Sequence, residues 1–179
     1  MRGAESLNNV DDSVIFPKSH GKKLIFLDKE AMLSRLSNER SETKQRVVDR
    51  FFYLSRQQGY YYTSIYVMAE VFSTVCSGRP SSNTTKLKKD ILNSSIQIRH
   101  GVDPWDSENL TETPKTVFLG AANVLEQRGD IDCKFSEAAL VVQAAAAGAD
   151  YVFSYDKAVR KLSASFGLTT LPHMKIWTK

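Results

Sequence analysis

The stretch "KKLIFLDKEAML", residues 22–33, decides how this chain is read. Four apolar residues, Leu24, Ile25, Phe26 and Leu27, run directly into a carboxylate, Asp28. An apolar run of this length, bounded by charge, reads as a strand buried on both faces of a parallel sheet. The acid at its end has two readings. It caps a following helix, or it belongs to a site.

Segments on either side of this strand continue the alternation. A charged helical stretch is expected from Lys29 to about Gln58, with Val47, Val48, Phe51, Phe52 and Leu54 on one side and Gly59 ending it. "YYYTS" (60–64) reads as a short strand feeding a helix. Thr63 or Ser64 is its cap, and Ile65, Met68, Ala69, Phe72 and Val75 form an apolar stripe. "SGRPSSNTT" (77–85) is rich in breakers and reads as a loop, followed by a basic helix over 84–93 and the alternating strand "SIQIRH" (95–100). Residues 101–114 read as a loop and 115–127 as a helix. In "FSEAALVVQAAAAGADYVFSYDKAVRKL" (135–162), Ser136 caps an alanine-rich helix that Gly148 ends. The strand "DYVFS" follows, and Asp156 opens another helix. "GLTTLP" (167–172) and "MKIW" (174–177) read as short closing strands. Residues 1–21 read as a flexible arm in which "SVIF" (13–16) has strand character.

Strands alternating with helices predict one α/β domain over 22–179, with a central, mainly parallel sheet. With 179 residues, the chain suffices for one full domain and hardly for two. Its 42% hydrophobic and 25% charged content is that of a soluble globular protein. No apolar run is long enough to cross a bilayer and no signal-peptide pattern opens the chain, so no membrane partner is expected. Cys76 and Cys133 suggest neither a disulfide framework nor a zinc site, and a reduced, cytoplasmic protein is expected. The net charge of +4 is a mild excess, concentrated where Arg79, Lys86, Lys88, Lys89 and Arg99 face a single acid, Asp90. That segment is either a solvated helix face or a surface for phosphates.

Of four notable acids, Asp28 and Asp156 stand where such a sheet collects functional side chains, beyond the carboxyl ends of its strands. Asp28 follows the first strand and Asp156 the last well-marked one. Glu70 lies in apolar company on the helix after Ser64, and Glu137 sits in the first turn of the alanine-rich helix. Each also has a structural reading: Asp28 and Asp156 as caps, Glu137 as a favourable charge at a helix N-terminus, Glu70 as a solvent-facing acid. Together they pose an electrostatic problem. Two carboxylates about 4 Å apart repel by about 4 kcal/mol at an effective dielectric of about 20. Lys29 and Lys157, each directly after one of the acids, are possible counter-charges. A hard divalent cation is another.

In these motifs the chain resembles the PIN domains, metal-dependent ribonucleases that include the VapC-type toxins of toxin–antitoxin pairs. The resemblance spans about residues 24–172. It rests on "LIFLD", "TSIYVMAEV", "SEAALVVQAAAAGAD", "YVFSYD" and "GLTTLP", met in the family's order. It implies a three-layer α/β/α fold and hydrolysis of RNA phosphodiester bonds. It further implies that Asp28, Glu70, Glu137 and Asp156 hold Mg²⁺ or Mn²⁺, with Ser154 as a supporting hydroxyl. Lys29, Arg79, Lys86, Lys88 and Lys89 become candidate RNA contacts. The partners implied are an RNA substrate, an antitoxin-like protein and a second copy of the chain. Two residues depart from the family pattern: Glu137 replaces the usual Asp, and Lys29 replaces a small or polar residue. They favour an alternative in which the domain is catalytically weak or inactive and binds RNA or a protein. A DNA structure-specific nuclease ranks last, because the long arch insertion and extra acids of that class are missing.

Overall fold

The computed structural model describes residues 12–17, 21–36, 42–77, 80–99, 112–129 and 131–173. Strands β1 (Lys23–Leu27), β2 (Gly59–Ser64), β3 (Ile96–Arg99), β4 (Tyr151–Phe153) and β5 (Thr169–Leu171) form an all-parallel sheet in the order β3-β2-β1-β4-β5. The apolar run therefore lies in the centre, with Ile25, Phe26 and Leu27 buried. From β1 the chain winds outward through β2 to β3, then returns to the other side of β1 as β4. The winding direction reverses between β1 and β4, and the carboxyl ends of such a pair open a crevice.

Helices α1 (Asp12–Ile15), α2 (Lys29–Leu36), α3 (Glu42–Ser55), α4 (Ile65–Cys76), α5 (Pro80–Leu92), α6 (Glu112–Gln127), α7 (Phe135–Ala146) and α8 (Lys157–Ser165) complete the described elements. They lie on both sides of the sheet, giving the α/β/α layering expected from the resemblance. Strand pleating sorts the side chains between the two faces. On one face Phe51 of α3 meets Phe153 at 4.2 Å between ring centroids, Phe16 at 5.8 Å and Tyr61 at 6.4 Å. On the other, Phe26 stacks on Tyr62 at 5.9 Å, and α7 packs against β2. Buried Ala138, Ala139 and Ala144 give α7 a slim surface for that approach. At the amino end of the sheet, Asp150 accepts from the Leu24 amide at 2.8 Å and from Lys23 Nζ at 2.9 Å, tying the entry of β4 to β1.

Several local expectations change. The stretch 29–58 is two helices, α2 and α3, rather than one. Pro80, read as part of a loop, is the first residue of α5, where proline's fixed φ suits a helix and its missing N–H costs nothing. "SVIF" contributes to the helical turn α1, closed by the Phe16 amide on the Asp12 carbonyl at 2.9 Å. Ile15 and Phe16 are buried, so the described part of the expected arm packs into the core. The inner face of α4 is Val67, Met68 and Val71, with Ile65 and Ala69 exposed. Docking between α2, α5 and α7 turns that helix away from the stripe read along the sequence. Residues 1–11, most of the loop 101–114, the strand expected in "MKIW" and Arg79 lie outside the described residues.

Phe51 joins α1, α3 and the sheet through four ring contacts and is fully buried. Phe51→Ala is expected to destabilise the protein by about 3–5 kcal/mol, read from the midpoint of urea unfolding.

Candidate active site

Asp28 is the first residue past β1, and three groups hold it in place. Its amide donates to the Phe153 carbonyl at 3.1 Å, continuing the β1–β4 pairing by one residue. Its Oδ1 accepts from the Ala31 amide at 2.7 Å, capping α2, and its Oδ2 accepts from Ser154 Oγ. The capping reading of this acid is therefore met through Oδ1. Asp28 is 3% exposed, and burial pushes its carboxyl up to about 6. The bonds from Ser154 and Ala31 oppose that shift, while the charges of Glu30 and Asp156 add to it.

Ser154 links this acid to the next. Its Oγ accepts from the Asp156 amide at 3.0 Å, and Asp156 Oδ1 caps α8 through the amides of Ala158 at 2.7 Å and Val159 at 3.1 Å. Arg160, one turn further along α8, donates Nη1 to the Ser154 carbonyl at 2.7 Å. Burial lowers the guanidinium's pKa, and the negative charge of Asp28 works against that shift.

Glu70 reaches the same region from α4, whose start is fixed by Ser64 Oγ accepting from the Tyr66 amide at 3.1 Å. Ser136 Oγ donates to Glu70 Oε1 at 2.5 Å, and Lys29 Nζ lies 3.7 Å from Oε2. Ser136 was expected to cap α7, but the N-cap position belongs to Lys134. Glu137 Oε2 accepts from the Lys134 amide at 2.8 Å, which satisfies the helix start and leaves the Ser136 hydroxyl for Glu70. Burial raises the pKa of Glu137, reinforced by the charges of Asp156 and Glu70.

Asp28, Glu70, Glu137 and Asp156 line one cleft of about 80 Å³ together with Lys29, Lys134 and Ser136. Val67, Leu140 and Val159 supply its apolar wall. The acids line the cleft without closing into a cage: among the described residues, no three His, Cys, Asp or Glu are arranged to hold a metal ion. A wider cleft of about 370 Å³ adjoins it through Glu30 and Asp156, lined also by Lys44, Tyr155 and Lys157.

The other basic candidates sit elsewhere. Lys86, Lys88 and Lys89 are exposed on α5, whose Leu87 turns inward. Lys86 borders a separate hollow with Arg35 and Asp90. Tyr61 and Tyr62 are core residues, and Tyr60 is partly exposed beneath Lys22 Nζ at 5.2 Å. Sequence reasoning missed Arg160 and the pairing of Ser136 with Glu70. The one local signal for Arg160 was its position four residues after Asp156, on the same face of a helix. The Ser136–Glu70 pair spans 66 residues and had no local signal.

This architecture, an all-parallel sheet with an acid-lined crevice between its two central strands, is a PIN/VapC-type fold. Solved structures similar to it in fold include the following three. The chain is similar to Mycobacterium tuberculosis VapC20, described as a sarcin-ricin loop cleaving toxin, with a TM-score of 0.52 and 16% identity over 79% of this chain and 94% of that one. It is similar to VapBC2 from Rickettsia felis, solved bound to a DNA fragment from their promoter, with a TM-score of 0.55 and 16% identity over 82% and 96% of the two chains. FitAcB from Neisseria gonorrhoeae gives a TM-score of 0.51 and 13% identity over 82% and 95%. No protein-family model and no curated protein matches the sequence.

The raised pKa of Asp28 sets a pH dependence in metal-free buffer. An upward shift means that the fold penalises the ionised carboxylate. The penalty is absent below the ordinary value near 3.8, grows as pH rises, and is complete above about 6. Unfolding free energy is therefore expected to fall across that window by an amount on the order of 3 kcal/mol, and Asp28→Asn should flatten the slope. Urea titrations in EDTA at a series of pH values check this.

Proposed function

We propose that the chain is an endoribonuclease that hydrolyses RNA phosphodiester bonds with Mg²⁺ or Mn²⁺. Asp28, Glu70, Glu137 and Asp156 form its acidic site, and Ser154 supports them. One observation carries the reading: Asp28, Glu70, Glu137 and Asp156, from four separate segments, line with Glu30 a single cleft at the carboxyl ends of β1 and β4. VapC20, which is similar in fold, is described as a sarcin-ricin loop cleaving toxin.

The donor set suits the proposed ion. Its ligands are hard, anionic oxygens, and the cleft lining has no histidine or cysteine to favour zinc. Held by these acids, a divalent ion would supply Lewis acidity toward a water and positive charge to offset that on the phosphate and the leaving oxygen. The described cap bonds of Asp156 use Oδ1 and that of Glu137 uses Oε2, so the other oxygen of each would serve as a ligand. Ser154 holds Asp28 in one orientation, and with a pKa of about 6 Asp28 is mostly ionised at neutral pH. Lys44 and Lys157 line the adjoining cleft and would contact phosphates flanking the scissile one. Lys29, Lys86, Lys88, Lys89 and Arg79 extend the proposed RNA contacts. An antitoxin-like protein covering the cleft and self-pairing as a dimer belong to the same reading, as does a cytoplasmic location. No helix among the described residues is long and apolar enough to cross a membrane.

A second reading, a weakly active or inactive module that binds RNA or a protein, draws on the Lys29–Glu70 contact, which places a cation inside the acidic cleft. The two readings separate in one assay, with single-stranded and structured RNA incubated with Mn²⁺. The nuclease reading expects cleavage that falls by at least about 100-fold in Asp28→Asn, the scale on which losing one charge-stabilising group at a reacting centre acts. RNA retention without cleavage would support the module. Cleavage unchanged in Asp28→Asn would remove this site from consideration.

A further inference from the structure

Lys29 is the first residue of α2 and directly follows the buried cap Asp28, so its backbone is fixed at the rim of the acidic cleft. A cation at the first helical position opposes the helix dipole, so α2 itself gains nothing from an ammonium there. What the ammonium meets is Glu70, at 3.7 Å from Oε2, while Ser136 holds Oε1 at 2.5 Å. Both side chains of the pair are about a quarter exposed, at 29% and 27%, which makes the contact one that solvent weakens and a competitor displaces. Lys134, the other lysine of this cleft, is exposed and lies on the α7 side.

We infer that Lys29 is a built-in counter-cation of the acidic cleft. Its ammonium balances Glu70 in the metal-free protein, and a divalent ion gains Glu70 as a ligand only by displacing it. This rests on the reading that the cleft takes a divalent ion, and it adds a consequence for how that ion is admitted. The chain folds with Glu70 already compensated. Metal affinity is set by competition with an internal ion pair, since a ligand gains only its differential affinity for the open state.

The full-length protein is titrated with Mn²⁺ by calorimetry as wild type, Lys29→Met, Lys29→Arg and Asp28→Asn, and each is melted in EDTA and in Mn²⁺. Lys29→Met is expected to bind Mn²⁺ about twofold to fivefold more tightly, the equilibrium equivalent of releasing a partly exposed ion pair. It should also melt lower than wild type in EDTA and gain more on adding Mn²⁺. Lys29→Arg, which keeps the charge, should follow wild type in both. Lys29→Gln replaces the Met variant if the latter does not fold. Unchanged Mn²⁺ affinity in Lys29→Met, with weaker binding in Asp28→Asn, overturns the role of Lys29 and leaves the metal site standing. Absence of Mn²⁺ binding in all four proteins overturns the metal reading and this inference with it.

Discussion

The hydrogen bond from Ser154 to Asp28 joins the ends of the two strands between which the sheet reverses its winding. Its donor comes from the residue after β4 and its acceptor from the residue after β1, 126 positions apart in the chain. Everything at the site is arranged around this bond. Asp28 starts α2, Ser154 receives the amide of Asp156, and Asp156 starts α8. Two strand ends, two helix starts and two carboxylates are thereby linked through one serine hydroxyl.

Crowding acids in this way has an electrostatic cost, and the structure meets it locally. Burial alone disfavours the charged form of Asp28, and its two hydrogen bonds recover part of that loss. Glu137 is half-buried and caps its own helix, while Glu70 is held between a serine and a lysine. Every one of the four acids therefore has a structural partner. Capping does not stand against the proposed ligation, because a carboxylate has two oxygens and caps with one of them at Glu137 and Asp156.

Much of this architecture was legible in residue order because it is encoded locally. The strand around Phe26, the cap at Ser64, the cap at Asp156 and the alanine-rich helix each depend on neighbours a few positions apart, where periodicity and capping act. The errors have a common origin. Ser136 looked like a cap because it precedes an acid and an apolar run, yet its hydroxyl is taken by Glu70 from another helix. Ile65 and Ala69 looked inward by helical spacing, but the orientation of α4 is set by what it docks against.

What the sequence determined by itself was the alternation of strands with helices and the kind of groups available to a site: acids after strands at Asp28 and Asp156, at a helix start at Glu137 and within a helix at Glu70. Only the tertiary structure decided how those acids relate. The order β3-β2-β1-β4-β5 places Asp28 beside Ser154. The docking of α2, α4 and α7 brings Lys29, Glu70 and Ser136 together. Local propensities have a range of about one helical turn, whereas charge compensation in a cleft depends on groups from any part of the chain that packing brings within a few ångströms.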